Sequence, residues 1–219
     1  MTTQMDDYLF DEGRLLAIQN EFVLEPLIEK LDLKCGPEAT HWISSGCWRH
    51  HVAILSMLDN QLFVLDVRDY SDLTVSIRWL TDQPTDLLYA ALNAPKQDSD
   101  YDPLFDTFRI PTTEELAEIV GWMAGNRQKP LKVTWFNDFR EFNCAKSWAI
   151  KAYDSTEAAE RQRDRASVEA QLGTQWLAEK VANGYVSTAA ASDQTGRATP
   201  AKASSSVNPA ASWRSHSRS

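Results

Sequence analysis

The sequence predicts an α+β fold: a central antiparallel β-sheet with flanking helices, a long C-terminal helix and a disordered tail. Three observations carry this. Two apolar, β-prone runs, His51–Leu58 and residues 62–67, flank Asp59-Asn60-Gln61, a short polar turn of the kind that joins antiparallel strands. Residues 113–123 place Leu116, Ile119, Val120 and Met123 on one helical face, with Thr112 and Glu115 at capping-box spacing ahead of them. Strand-like and helix-like segments do not alternate regularly, as a sheet of βαβ units requires.

Taken in order, residues 14–19 read as a short strand and 25–33 as a short helix with Pro26 in its first turn. Residues 43–45 form a further strand leading into the hairpin. Residues 84–92 and 113–123 are helices, and 93–103, filled with Pro, Asp and Ser, is a loop. Val, Trp, Phe and Tyr make 131–136 and part of 142–153 strand-like. Asp154 and Glu157 stand at capping-box spacing before a long helix over 156–182, which Asn183-Gly184 closes. The first half of that helix is charged almost all round. The second half carries Val168, Leu172, Trp176, Leu177 and Val181 as one apolar stripe, expected to dock onto the chain's own body. From residue 186 onward Ala, Ser, Thr and Pro dominate, too little apolar surface to offset the entropy of ordering. The organisation is therefore a single α+β domain over 1–185 and a disordered tail over 186–219, whose end from Trp213 reads as solvated.

Of the 219 residues 43% are hydrophobic, with eight Trp and eight Phe, which marks a folded body. The longest apolar runs, such as 52–58, fall far short of the ~20 residues that cross a bilayer. The first seven residues lack the basic and apolar regions of a secretory signal. Three cysteines (Cys35, Cys47, Cys144) fit neither a disulfide framework nor a paired-cysteine metal ribbon. These features predict a cytoplasmic protein with no membrane contact. The net charge of −9 is unevenly spread. Residues 187–219 hold Arg197, Lys202, Arg214 and Arg218 against Asp193, a charge of +3, so 1–186 carries −12. Such a body repels phosphate backbones, which excludes nucleic acid and favours a basic protein partner.

The stretch 42–67 holds the only concentration of reactive side chains, and Cys47, Arg49 and His51 are its catalytic candidates. A nucleophilic thiol needs a base within hydrogen-bond reach. On a strand Cys47, Arg49 and His51 share one side, but Cys47 and His51 then stand ~13 Å apart, which argues against a local dyad. His41, Cys47, His50 and His51 match no structural zinc spacing, so no metal is expected. The eight glycines are scattered singly, without a phosphate-binding loop, and no cofactor is expected. Asp98, Asp100, Asp102 and Asp106 begin like a calcium loop, but Pro103 and Arg109 fall where that loop needs Gly and Glu. Arg49, between an aromatic and a histidine, is expected to form a structural ion pair, with Glu25 and Asp66 among the available acids.

These residues resemble an uncharacterised family of small bacterial proteins with a Cys-Trp-Arg-Gly-Tyr β-hairpin motif. The family's Pro-Leu-Glu-x-Tyr-Leu corresponds to Val23-Leu-Glu-Pro-Leu-Ile28, and its Ser-Thr-Ala-Cys-Trp-Arg-Gly-Tyr to Ser44-Ser-Gly-Cys-Trp-Arg-His-His51. The hairpin ends in Leu62-Phe-Val-Leu-Asp-Val67, and Arg109-Ile-Pro111 corresponds to a later Arg-Ile-Pro. The likeness spans about residues 13–111, and His50-His51 stands where the family has Gly-Tyr. It implies a bacterial cytosolic setting and a β-rich centre, and no reaction.

The expected function is a non-catalytic protein-interaction module with an acidic surface, of the immunity or antitoxin kind that covers a basic toxin. The alternative is a small enzyme with Cys47, Arg49 and His51 lining a pocket. The two differ in where those side chains lie: in the core for the first, converging in a cleft for the second.

Overall fold

The computed structural model describes residues 5–19, 23–35, 49–70, 72–81, 83–92, 108–136, 139–155 and 158–187. Strands β1 (Asp7–Asp11) and β2 (Arg14–Ile18) form an antiparallel hairpin, followed by helix α1 (Glu25–Lys30) and strand β3 (Lys34–Cys35). Strands β4 (His51–Leu58) and β5 (Gln61–Asp69) form the central hairpin. Then come β6 (Trp79–Leu80), α2 (Thr85–Leu92), α3 (Thr113–Met123), β7 (Leu131–Lys132), α4 (Arg140–Tyr153), α5 (Ala158–Leu172) and α6 (Thr174–Ala182). The main sheet has the order β2-β1-β4-β5-β7, and β3 pairs with β6 in a small second sheet.

The fold is α+β, as expected, and its main sheet is mixed. Three of its pairings are antiparallel, whereas β1 runs parallel to β4, with Tyr8, Leu9 and Phe10 opposite Ile54, Leu55 and Ser56. Both hairpins close with two residues of positive φ, Glu12-Gly13 (47° and 75°) and Asp59-Asn60 (49° and 60°). That is the turn geometry whose twist matches the flanking strands. Gln61, read from sequence as part of the turn, begins β5 instead.

Alternation along the strands sends two sets of apolar side chains to opposite faces. Leu9, Leu16, Ala53, Leu55, Leu62, Val64 and Val67 pack with buried residues of α1 to α4. Phe10, Leu15, Val52, Ile54 and Leu65 pack on the other side against Val168 and Leu172 of α5, with Trp176, Leu177 and Val181 of α6 beside them. A register shift opposite Ile54/Leu55 lets Leu65 reach the second face while Val64 and Val67 both keep to the first. The result is a sheet between two helical layers. The stripe read from the sequence thus docks on the chain's own sheet.

Residues 142–153, the long helix and the start of the tail differ from expectation. Residues 142–153, read as partly strand, are helical: Phe142, Ala145, Ala149, Ile150 and Tyr153 recur at helical spacing and pack on the core together. The single long helix over 156–182 is two helices, because Gly173 adopts φ 89° between them. Val186, assigned to the tail, is buried, and the Ser187 hydroxyl accepts from the Gly13 N–H at 3.1 Å. The strand read at 43–45, the loop acids Asp98, Asp100, Asp102 and Asp106, and the tail from 188 lie outside the described residues.

Candidate functional site

The polar centre of the molecule lies where β1, α1 and the start of β4 meet, on the α1–α4 face of the sheet. Asp7, Glu25, Arg49 and His51 are all buried there. Each is placed by a local cause. Asp7 opens β1 just before the parallel pairing begins at Tyr8, and its Oδ1 accepts the Ala53 N–H at 2.8 Å. The carboxylate thereby continues the ladder by one step. Glu25 begins α1, and the chain entering that helix is held by the Trp135 indole N–H, which donates to the Val23 carbonyl at 2.6 Å. His50 takes φ 60°, so residues 49–51 turn before the strand starts, and His51 Nδ1 comes 2.6 Å from the Arg49 carbonyl.

That turn corrects the strand geometry expected for the segment: Arg49 and His51 share a side because the backbone folds back at His50. Arg49 is the hub. Its Nη2 donates to Asp7 Oδ1 at 2.7 Å and to the Met5 carbonyl at 2.8 Å. Its Nη1 lies 3.3 Å from Asp7 Oδ2 and 3.2 Å from Glu25 Oε1. The ion pair expected of Arg49 is present, with Glu25 as foreseen and with Asp7 in place of Asp66. Asp66 serves a separate network, accepting from Arg68 Nε at 2.5 Å, Arg127 Nη1 at 2.6 Å and Ser76 Oγ at 2.9 Å. Arg68 and Arg127 lie over the rings of Trp176 and Trp122.

His51 is held on every side. Its ring meets Trp79 edge-on at 5.0 Å, and its Nε2 stands 3.6 Å from Glu25 Oε1. Because a carbonyl only accepts, Nδ1 carries the proton of the neutral ring. Burial, with the Arg49 charge adding to it, pushes the imidazole down to about 3, so the ring is neutral at ordinary pH. Burial pushes Asp7 up to about 8, against the attraction of Arg49 and with the help of Glu25. Burial also raises Asp6.

Of the sequence candidates, the structure brings Arg49 and His51 together, both buried; Cys47 and His41 lie outside the described residues. Asp7 was missed. Its only sequence signal is the Asp11-Glu12-Gly13-Arg14 turn, which implies a partner strand upstream of residue 14 and so places the terminal acids in the sheet. Among the described residues no three His, Cys, Asp or Glu side chains are grouped to hold a metal ion, and no helix is long and apolar enough to cross a membrane.

Among the described residues, the sheet and this cluster make an α+β fold with a buried polar cluster at its centre. Comparison of the chain with protein-family models, with curated proteins and with solved structures finds no match.

Proposed function

We propose that the protein is a non-catalytic interaction module of the bacterial cytoplasm, which uses an acidic surface to engage a basic protein in the manner of an immunity protein. The observation that carries this reading is the burial of Arg49 and His51, only 7% and 2% exposed, within an ion-pair cluster that joins three elements. Side chains so committed act as scaffold. A substrate reaches them only if the core opens.

The outer surface supports the second half of the reading. Helices α1, α2 and α3 pack side by side on one face of the sheet and present Glu29, Asp86, Glu114 and Glu118 to solvent, with Leu87 exposed among them. Charge of one sign on such a face steers a partner of the opposite sign and sets its on-rate.

The test is native co-purification from the source cytoplasm, at low and high salt, of the wild-type chain and of a Glu114→Lys/Glu118→Lys variant. The reading predicts a basic protein retained at low salt, released at high salt and lost from the variant. Recovery of only neutral or acidic partners, unaffected by either change, contradicts it.

A further inference from the structure

We propose that residues 158–187 are a strap: α5, α6 and the segment after them open from the sheet as one cooperative unit while the rest of the fold stays closed, and Gly13 is the catch that holds the strap at two points. The inference goes beyond the interaction reading and does not depend on it.

It starts from how the apolar contacts divide. Among the described residues, the core between the sheet and α1–α4 is assembled from residues 9–153 alone. The strap adds nothing to it, so lifting the strap leaves that packing whole. The strap has its own cluster on the opposite face, over Phe10, Leu15, Val52, Ile54 and Leu65. It is held there lightly. Of its described apolar side chains only Val168, Leu172 and Val186 are buried, while Trp176, Leu177 and Val181 are half-buried. No strand among the described residues pairs with it. A segment with few buried apolar contacts and no share in the main core opens at a lower free energy than the whole domain.

The polar fastenings converge on one turn. Gly13 is the second residue of the β1–β2 turn, and the pair Asp11↔Arg14 closes the ladder ahead of it, so neither backbone group of Gly13 is spent on the hairpin. The strap takes both. Arg165 Nη2 of α5 donates to the Gly13 carbonyl at 3.3 Å, and Ser187 Oγ, beyond α6, accepts from the Gly13 N–H at 3.1 Å. Release at one point therefore loosens the other. Arg165 Nη1 also donates to the Tyr153 hydroxyl at 2.6 Å, reaching back to the end of α4. Two further contacts lie along α6 and after it: the Arg68 guanidinium stands over the Trp176 ring at 5.3 Å, and the Ser56 hydroxyl donates to the Tyr185 carbonyl. Opening breaks these contacts together and bares an apolar face running across β1, β2, β4 and β5. The strap is a lid on that face.

The experiment is native-state amide hydrogen exchange on the full chain in sub-denaturing urea. Leu172 and Val181 of the strap are compared with amides of the β4–β5 ladder. The strap amides share one opening constant, roughly tenfold or more above that of the ladder, with a smaller urea dependence because less surface is exposed. Two variants separate the units. Thr112→Ala weakens α3, which stays folded when only the strap opens, so it raises the ladder constant and leaves the strap constant unchanged. The Arg165 bonds are absent from every open form, so Arg165→Met raises both constants, roughly tenfold for a charge-assisted bond. Where that variant does not fold, Ser187→Ala is read the same way with a smaller change. The proposal is overturned if strap and ladder share one constant and one urea dependence, or if Leu172 and Val181 open independently of each other. It is equally overturned if Thr112→Ala raises the strap constant as much as the ladder's, or if the strap variants leave the strap constant unchanged.

Discussion

Replacing Arg49 by Met keeps most of the side-chain volume and removes the guanidinium, which isolates what the charge contributes. The side chain is 3% exposed and reaches both carboxylates of the cluster together with the Met5 carbonyl. Without it Asp7 and Glu25 lose the guanidinium they share inside the core. Breaking a buried pair in this way costs ~3–5 kcal/mol, several times the ~0.2–1 kcal/mol of an exposed pair. A domain of this size has ~5–15 kcal/mol in all, so the loss is about a fifth of the total or more. Urea unfolding followed by tryptophan fluorescence measures it, since Trp79, Trp122 and Trp135 lie in the core that these elements close. The partner experiment adds Asp7→Asn and Glu25→Gln to the Arg49→Met chain. With no carboxylate left to strand, ~2 kcal/mol or more of the loss returns, as expected where an ion pair is replaced whole. A loss below ~1 kcal/mol for Arg49→Met alone, at the level of a surface pair, would refute the reasoning; so would a triple variant no more stable than the single one.

Further outcomes follow from the same geometry. The lowered His51 pKa stabilises the fold above the unfolded histidine value near 6.5 and is lost as pH falls toward 3, whereas the raised Asp7 pKa stabilises it below about 4 and is lost as pH rises through 8. The two slopes oppose each other between about 4 and 6.5, so unfolding free energy is nearly flat there and declines from 6.5 to 8; His51→Phe exposes the decline over the whole range, measured by denaturant titration at a series of pH values. At the start of α3, Thr112 Oγ1 accepts from the Glu115 N–H, while the Glu115 carboxylate takes the Thr112 N–H and both oxygens meet Arg109 Nη2 at 2.6 and 2.7 Å. Thr112→Ala costs ~1 kcal/mol in urea unfolding. Gly173→Ala forces a side chain onto a backbone of φ 89° with open space around it, so strain alone acts; ~1 kcal/mol is lost by the same measurement, and an unchanged midpoint would mean that the break between α5 and α6 is not set by this residue.

What the sequence disclosed follows the range of the interactions. The β4–β5 hairpin, the α3 capping box and the apolar stripe of α5 and α6 are specified by neighbours a few positions apart, and each stands where periodicity and turn chemistry put it. Residues 142–153 misled because aromatic and β-branched content favours a strand, while the spacing of Phe142, Ala149 and Tyr153 serves a helix; burial of that face decided the matter. The glycine at 173 did signal a break, and the apolar stripe running through it concealed the signal. The parallel β1–β4 pairing and the Asp7–Arg49 bond join residues more than 40 positions apart, with no local pattern to announce them. For the candidate site, residue types alone identified Arg49 as an ion-pair centre and left its dominant partner unnamed.

The account rests on the 49–51 turn being scaffold sealed in the core. Nitrogen-detected NMR of the His51 ring tests this most directly. A neutral ring protonated at Nδ1, with no titration between pH 5 and 8, is the predicted result. A ring that titrates near 6.5 would place His51 in contact with solvent and contradict it, and a proton on Nε2 would remove the bond from Nδ1 to the Arg49 carbonyl that holds the turn.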